Sequence, residues 1–519
     1  MLTPLVWTAV ILVAAVIAFL TNRLNPAIIA LGVALSLYLT GTNSLQETLA
    51  GFGDPIVIYL AGLFVVSEAL DATGVTAWAG QQLTRRIGDG RAKVLVALMI
   101  MTALLTAFIS VNGAVAALVP VGVMLAARTR VSPSQMLMPL AFAAHAGSML
   151  TMLGTPVNVL VSELSVETGS RPFGFFEFAI VGVPMLVGVI LICVLLGPVL
   201  LPARHPENAP RDLSDYARVL AAEHGLRSGE TDLTYEEGVV EIVIPPRSPF
   251  LGDEVHRGMR TESGDLIVTS FRRGGESIDH GTLQVGDVLL MRGAWDALER
   301  KAGHSGVLSV DDPDLIRRQS VRLGARSYVA VAVLVVMCVV LALELLPPAI
   351  VVMIAAAVLV VSRVLSFAQA QHSISLTTII VVAGMIPLST AIQTSGAADL
   401  VSDTLVATFG ASSPRLLLVC IVLIVLVLGQ FLSNLATVLI VAPVAVVVSE
   451  NAGVSPLPMM MGITIAGAAS FLTPVATPGN LMVQDPGAYR FGDYWKLGLP
   501  CMALYFVIAT VLVPIVWPF

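Results

Sequence analysis

The sequence is poor in charged residues, aromatic residues and cysteine. Of its 519 residues only 12% are charged and 6% are aromatic, while 56% are hydrophobic. Soluble domains carry about 25% charged residues, so this composition indicates an integral membrane protein. The net charge of −7 gives no reason to expect nucleic-acid binding. The four cysteines lie inside apolar runs without a CxxC pair, which is typical of small core residues rather than disulfides or metal ligands.

Sequence motifs of catalytic and nucleotide-binding sites are also missing. The chain contains no HExxH, no GxSxG, no P-loop and no GxGxxG after a predicted strand. A membrane enzyme is therefore the weakest of the function classes, and we expect neither catalytic residues nor a cofactor.

Ten apolar stretches are long enough to cross a bilayer, which takes roughly 20 residues in a helix. We keep the first as a transmembrane helix, since no basic segment precedes it and no cleavage site follows it. The predicted crossings are residues 3–21, 25–41, 54–73, 133–162, 177–201, 327–345, 348–363, 376–395, 456–484 and 497–517.

Two further apolar stretches, residues 94–127 and 414–449, have a polar patch at their centre. The patches are Ser110-Val111-Asn112-Gly113 and Ser433-Asn434-Leu435-Ala436-Thr437. Each leg has about 16 residues and spans roughly 24 Å, short of the ~30 Å bilayer core. Basic residues precede the first stretch (Arg85, Arg86, Arg91 and Lys93) and follow it (Arg128 and Arg130), so both of its ends belong in the cytoplasm. We predict re-entrant hairpins; two full helices with a tight turn are the alternative.

The remaining charge is concentrated between the two apolar parts of the chain. This pattern predicts a first transmembrane repeat at residues 1–202, a charged insert at 203–326 and a second repeat at 327–519. Counting crossings from the basic flanks places the insert in the cytoplasm and both termini outside the cell membrane.

The two apolar parts resemble each other. Three regions recur at an offset of 322 or 323 residues. Leu60-Ala61-Gly62 matches Val382-Ala383-Gly384, and Phe108-Ile109-Ser110 matches Phe431-Leu432-Ser433. Thr155-Pro156-Val157-Asn158 matches Thr477-Pro478-Gly479-Asn480. Each half holds five crossings and one hairpin, and because five is odd the halves have opposite orientations in the membrane. The fold class predicted is an all-α polytopic membrane protein of two inverted repeats with a small α+β cytoplasmic insert. Transporters use inverted repeats to alternate access.

Each Thr-Pro-x-Asn segment lies near the middle of an apolar run. Proline removes a backbone donor and should break the helix there, and non-helical backbone inside a membrane must be buried or line a cavity. The free N–H groups of a broken helix favour an anion, and its free C=O groups favour a cation such as Na⁺. We therefore predict that two hairpin tips and two broken helices form one polar centre.

His145 lies within the fifth apolar stretch, and Gly467 is its counterpart in the repeat. An ionisable group at membrane depth indicates function, so a proton relay is one interpretation. A neutral histidine that stabilises packing is the other, and the sequence favours it.

The hairpin patches, the Thr-Pro-x-Asn pair and the order of the repeat resemble the divalent anion:sodium symporters (SLC13-type permeases of the ion transporter superfamily). The resemblance implies an elevator-type mechanism in a homodimer, with Na⁺ and substrate held by the tips and unwound loops. Carried over to this chain, the cation ligands are Ser110, Asn112, Gly154, Ser433, Asn434 and Ala476. The substrate ligands are Asn112, Thr155, Pro156, Asn158, Asn434, Thr437, Thr477, Pro478 and Asn480.

Both tips depart from the family pattern. The first has Val111 where a second polar residue is usual, and the second has Leu435 at the usual threonine position, with Thr437 two residues further on. Both changes remove oxygen ligands.

The insert, with a core at about 228–302, resembles the C-terminal domain of potassium-conductance regulators (the TrkA-C or RCK-C domain). The matching segments run from Val240 to Gly252, from Ile267 to Gly275 and from Leu283 to Gly293. They alternate as short strands split by Gly and Pro turns, and a helix is predicted at Trp295–Lys301. The resemblance implies a regulatory domain that dimerises and binds a small ligand.

Together these observations predict a secondary transporter that carries a small divalent anion, sulfate or a dicarboxylate, with Na⁺ or H⁺ as coupling ion. The alternative is a membrane protein that conducts or regulates cation flux under control of the RCK-C-like domain.

Overall fold

A computed structural model describes residues 4–21, 23–76, 78–79, 82, 90–204, 220, 224, 237–261, 263–311, 313, 316, 324–397, 399, 413–474 and 476–519. Arg85 and Arg86, on which part of the orientation argument rests, lie outside the described residues, as do residues 228–236 of the predicted insert core.

The chain separates into two compact units. The larger comprises Met1–Glu68, Leu83–Pro210 and Ala332–Phe519, and the smaller comprises Ala69–Gln82 and Arg211–Val331.

Apolar helices with short connections make up the first part of the chain. In chain order they are α1 (Pro4–Thr21), α2 (Pro26–Leu39), α3 (Leu45–Ala50), α4 (Pro55–Ala72), α5 (Arg91–Thr106), α6 (Val111–Arg128), α7 (Leu137–Gly147), α8 (Pro156–Glu167), α9 (Ala179–Leu195) and α10 (Gly197–Leu200).

The smaller unit contains an antiparallel sheet. Its strands are β1 (Glu237–Val243), β2 (Glu254–His256), β3 (Leu266–Arg273), β4 (Glu276–Ser277), β5 (His280–Thr282), β6 (Val288–Ala294) and β7 (Leu308–Ser309), with helix α11 (Trp295–Ala302) after β6. The main sheet has the order β4-β3-β6-β1-β7, while β2 and β5 pair separately. The predicted strands and the helix at residue 295 are confirmed, as is the α+β class of the insert. Strand β7 pairs with β1, so the sheet extends beyond the predicted end of the core at residue 302.

A second series of apolar helices follows the sheet. They are α12 (Ala325–Ala342), α13 (Pro348–Val361), α14 (Phe367–Ser373), α15 (Leu376–Thr394), α16 (Pro414–Leu428), α17 (Asn434–Asn451), α18 (Leu457–Gly467), α19 (Pro478–Met482), α20 (Tyr494–Val507) and α21 (Val513–Val516).

Local details of the first series recur in the second. Short helices α3 and α14 each begin with a capping box, formed by Ser44 with Glu47 and by Ser366 with Gln369. Glycines in the left-handed region follow α4 and α15, at Gly74 and Gly396. The serine and glycine positions are all 322 residues apart, the offset of the sequence matches.

Five helical segments among the described residues are long and apolar enough to cross a membrane: Leu45–Ala72, Ala325–Ala342, Leu376–Thr394, Asn434–Asn451 and Phe491–Val516. Other apolar helices have 10–17 residues. Asn434–Asn451 is one leg of the second predicted hairpin. Because this leg is long enough to cross a membrane by itself, its length fits the alternative of two full helices as well as the hairpin.

An ion pair between a partly exposed arginine and a buried carboxylate fixes the tight turn between β5 and β6. Arg273 donates two hydrogen bonds of 2.7 Å to the carboxylate of Asp287, and the backbone N–H of Gln284 donates a third of 2.7 Å. The side chain of Asp287 has no exposed surface. Burial acts to raise the pKa of Asp287, but the hydrogen bonds from Arg273 and Gln284 outweigh it and hold the pKa below the usual range.

We expect Arg273→Ala to loosen the sheet, because a buried carboxylate then loses its counter-charge. Amide hydrogen exchange of the full-length protein should accelerate about tenfold or more in β3 and β6. A depressed carboxyl pKa stabilises the fold above the ordinary value of about 4, and that stabilisation is lost as the pH falls through the folded-state pKa. The difference between wild type and variant should therefore vanish in acid.

The matched control is Arg292→Ala, which breaks the pair between Arg292 and Glu237, whose carboxylate side chain is 52% exposed. Exposed pairs contribute little, so exchange should hardly change. Equal effects of the two substitutions would contradict the assignment.

Candidate functional site

Serine caps the helix that leaves each hairpin tip. The hydroxyl of Ser110 accepts a hydrogen bond of 3.2 Å from the N–H of Gly113, and that of Ser433 accepts one of 3.3 Å from Ala436. Helices α6 and α17 therefore start at residues 111 and 434, so the polar patches lie in their first turns and each break precedes its patch. Both first turns carry the positive end of a helix dipole.

The helix break predicted at each Thr-Pro pair is present. Helix α7 ends at Gly147 and α8 begins at Pro156, while α18 ends at Gly467 and α19 begins at Pro478. Proline at the first helical position needs no hydrogen-bond acceptor for its nitrogen. We call residues 148–158 the first loop and residues 468–480 the second loop.

An asparagine stabilises the first loop from within. The side-chain amide of Asn158 donates hydrogen bonds of 3.0 Å to the carbonyl of Ser148 and 2.8 Å to that of Thr151. Asn158 is fully buried. Its amide thus satisfies two carbonyl groups that an intact helix would have bonded.

The second loop uses the same arrangement. The amide of Asn480 donates bonds of 2.7 Å to the carbonyl of Ser470 and 3.1 Å to that of Thr473. Asn480 is also fully buried. The sequence predicted Asn158 and Asn480 as substrate ligands. In the structure both hydrogens of each side-chain amide are bonded to carbonyls of its own loop.

Threonines connect each loop to the neighbouring hairpin. Thr151 donates to the carbonyl of Ala107, and Thr473 donates to that of Gln430 at 3.0 Å. Gln430 adds two further bonds, one of 2.9 Å to the carbonyl of Ala469 and one of 3.0 Å from the N–H of Leu472. Each tip and its loop therefore form one hydrogen-bonded body.

The two halves of the site meet directly. A Cβ added to Gly479 of the second loop would lie 3.3 Å from Val111 Cγ1 and 3.9 Å from Asn112 Oδ1 of the first tip. From α7, His145 reaches the second loop, with its Nε2 3.1 Å from Thr477 Oγ1 and 3.3 Å from Asn480 Oδ1. Asn434 Oδ1 accepts a bond of 2.5 Å from Ser470 Oγ.

The predicted site residues differ in exposure. Asn112, Ser433 and Pro478 are exposed, and Ser110, Thr155, Pro156 and Asn434 are partly exposed. Gly154, Asn158, Thr437, Ala476, Thr477 and Asn480 are buried. The hydroxyl of Thr437 bonds the carbonyl of Ser433 within its own helix, at 3.1 Å.

No acidic or basic residue occurs in either tip or loop, from 107 to 113, 148 to 158, 429 to 437 and 468 to 480. What these segments offer is neutral side-chain oxygens, carbonyls and helix N-termini. Such a set suits a hard cation and a small anion together.

Sequence reasoning missed Gln430 and the partners of His145. Gln430 could have been noticed as an isolated amide in the apolar run before Ser433, but its repeat counterpart Ala107 gave no second signal. Ser67 of α4 accepts a hydrogen bond of 3.3 Å from the N–H of Ser110. Gly62 and Gly384 pack closely against Val352 and Ala30.

We expect Asn158→Ala and Asn480→Ala each to destabilise the protein by about 2 kcal/mol, because each leaves two buried carbonyls without a donor. The melting temperature of the detergent-solubilised protein measures the effect. The control is Thr464→Val, since Thr464 bonds only a carbonyl one turn earlier in its own helix. Asparagine variants as stable as this control would contradict the role of the two amides.

The chain is similar to several known proteins. The chain is 28% identical to the "Uncharacterized transporter YfbS" of Escherichia coli, over 99% of both chains. It is 26% identical to the "Probable sodium/sulfate cotransporter 3" of Chlamydomonas reinhardtii, over 49% of this chain and 27% of that protein. The crystal structure of the Alcanivorax borkumensis YdaH transporter aligns with 93% of this chain and 89% of its own, at a TM-score of 0.49 and 14% identity.

The profile of the citrate transporter family (CitMHS) matches residues 16–407 and 333–519, which together cover nearly the whole chain. The expectation that the chain is not an enzyme is thereby confirmed. The chain belongs to the citrate transporter family, whose members are membrane transporters.

Proposed function

We propose that this protein is a secondary active transporter that carries a small divalent anion, sulfate or a dicarboxylate, together with Na⁺. The observation that carries the proposal is the pair of tip-and-loop bodies, each stabilised by an internal asparagine and both free of charged residues. The names of a family of citrate transporters and of a sodium/sulfate cotransporter relative support the anionic substrate.

Two inverted repeats of five transmembrane helices and one re-entrant hairpin are part of the proposal. Asn158 and Asn480 each donate hydrogen bonds to the carbonyls of the residues ten and seven positions earlier in the chain. This identical pattern supports an internal repeat. A second matched contact adds weight: Cβ atoms added to Gly182 of α9 and Gly498 of α20 would lie 2.1 Å from Met149 O and 2.3 Å from Phe471 O. Helices α9 and α20 thus pack in the same way against the first and the second loop.

Contacts at both ends of the larger unit support the proposed division of its connecting segments between the two sides of the membrane. Arg204 pairs with Asp493 at 2.6 Å, and Tyr489 donates a hydrogen bond to the carbonyl of Ser134. Arg204, Tyr489 and Asp493 lie in segments predicted to be cytoplasmic, and Ser134 lies at the cytoplasmic end of the predicted crossing 133–162.

At the other end, Trp517 Nε1 donates to Glu177 at 2.6 Å, and Arg171 pairs with the same carboxylate. The predicted topology places these segments together outside. At each end, the contacts therefore join segments that the predicted topology assigns to the same side of the membrane.

Within this scheme the partly exposed first turns of α6 and α17 hold the ions. Ser110 and Asn112 with the Gly154 region form one cation site, and Ser433 and Asn434 with the Ala476 region form the other. The substrate lies between them, near Thr155 and Thr477, and moves with the tip-and-loop bodies in an elevator motion. A homodimer would supply the static scaffold.

The smaller unit is proposed as a cytoplasmic RCK-C-like regulatory domain. A cavity of about 650 Å³ lies within it, lined by apolar side chains such as Ile242, Leu289 and Met291 and by Arg260 and Arg300. A small ligand of the size that such cavities hold could bind there.

Proteoliposomes containing the purified protein should accumulate labelled sulfate or a C4-dicarboxylate when a Na⁺ gradient is imposed. Asn434→Ala should raise the Na⁺ concentration for half-maximal uptake about tenfold, which is the loss of roughly one ligand interaction. The control is Asn25→Ala, which removes the side-chain cap of α2 and changes neither a tip nor a loop.

Absence of Na⁺-dependent or pH-dependent accumulation of any of these anions would contradict the proposal. Potassium flux or unitary currents without an anion requirement would instead favour the alternative of regulated cation flux.

A further inference from the structure

His145 belongs to the first half of the chain but contacts only the second loop through its Nε2. This atom lies 3.1 Å from Thr477 Oγ1 and 3.3 Å from Asn480 Oδ1. The residue is 2% exposed, and its ring meets the ring of Phe471 edge-on at 5.8 Å. A polar atom buried in this way needs a hydrogen-bond partner.

The bonds of Asn480 determine which nitrogen of His145 carries the hydrogen. Both hydrogens of the Asn480 amide go to the carbonyls of Ser470 and Thr473, at 2.7 and 3.1 Å. Its Oδ1 can therefore only accept. An Nε2 without hydrogen would face this oxygen lone pair to lone pair, so the network requires Nε2–H.

Thr477 then receives hydrogens on its oxygen from two directions. Its Oγ1 accepts the N–H of Asn480 at 3.3 Å and lies 3.1 Å from Nε2–H of His145. A hydroxyl has two acceptor lone pairs and one donor hydrogen. Nε2 of His145 carries one hydrogen, which Asn480 Oδ1 and Thr477 Oγ1 share. Because both neighbours of Thr477 Oγ1 present a hydrogen to it, the hydroxyl hydrogen of Thr477 points to a third partner.

We propose that His145 is a positioning residue that holds the Thr477 hydroxyl as a hydrogen-bond donor to the transported anion. This inference rests on the proposed function. Thr477 is 8% exposed and next to the exposed Pro478, so this residue lies at the edge of the site. A donor fixed before the anion arrives loses no orientational freedom on binding.

The first loop lacks this arrangement. Position 467, the counterpart of His145, is a glycine, and a Cβ there would lie 2.8 Å from Val438 Cγ2. Correspondingly Asn158 Oδ1, the counterpart of Asn480 Oδ1, is buried without a hydrogen-bond partner in the described structure. The two loops are thus unequal, and anion recognition depends more on Thr477 than on Thr155.

The test compares His145→Gln, His145→Asn and His145→Leu in proteoliposomes. Glutamine can place an N–H near the position of Nε2, whereas asparagine is too short and leucine has no donor. We expect the KM for the anion to rise about tenfold in the Asn and Leu variants, the equivalent of one hydrogen bond, with the maximal rate changed less than threefold. The Gln variant should stay within about threefold of wild type in KM.

A double-mutant cycle tests whether His145 acts through Thr477. Thr477→Val should raise KM as much as His145→Leu, and the double variant should be no worse than Thr477→Val alone. Additive effects, an unchanged KM in His145→Leu, or failure of glutamine to rescue would overturn the proposal.

Amide hydrogen exchange without anion separates this proposal from the proposed function. His145→Leu should accelerate exchange in residues 476–482 and leave residues 151–158 unchanged. If the wild-type protein transports no anion, the proposed function fails. The exchange measurement then still tests whether His145 stabilises the second loop. Unchanged exchange in residues 476–482 would overturn the positioning role whatever the transport result.

Discussion

Backbone that leaves the helix inside an apolar environment has to find hydrogen-bond partners in the protein, since neither lipid nor apolar side chains supply them. Asn158 and Asn480 meet this requirement by bonding two loop carbonyls each. The remaining features of the site depend on it. Only a stable unwound loop can present carbonyls and helix N-termini to an ion, and only then can Thr151 and Thr473 join each loop to its hairpin.

The repeat gives two loops of one design, but their surroundings differ. His145 satisfies the oxygen of Asn480, whereas Gly467 leaves the corresponding oxygen of Asn158 buried without a partner in the described structure. Gln430 strengthens the second tip, and Ala107 at the matching position cannot. Among the described residues, the second tip and loop therefore have more hydrogen-bond partners than the first.

Much of this architecture could be predicted from the sequence, because it depends on local signals. Proline after threonine predicted both helix breaks, and serine before a polar patch predicted both tips. Alternation of β-branched residues and the turn at Gly286 predicted the sheet. The contacts of His145 and the inward direction of the Asn158 amide could not be predicted, since they depend on which elements meet in space. A helical position near mid-membrane is compatible with a ligand, a relay or a packing role, and only the partner atoms distinguish them.

The central claim is that the two tips and the two loops together enclose one anion and its coupling cations. Electron cryo-microscopy of the protein in lipid nanodiscs, with Na⁺ and the transported anion and again with both replaced by choline and gluconate, tests this most directly. The account predicts added density between the first turns of α6 and α17, within reach of the residues around 155 and 477, only in the Na⁺ and anion sample. Added density confined to another part of the molecule, or continuous helix through both loops, would contradict it.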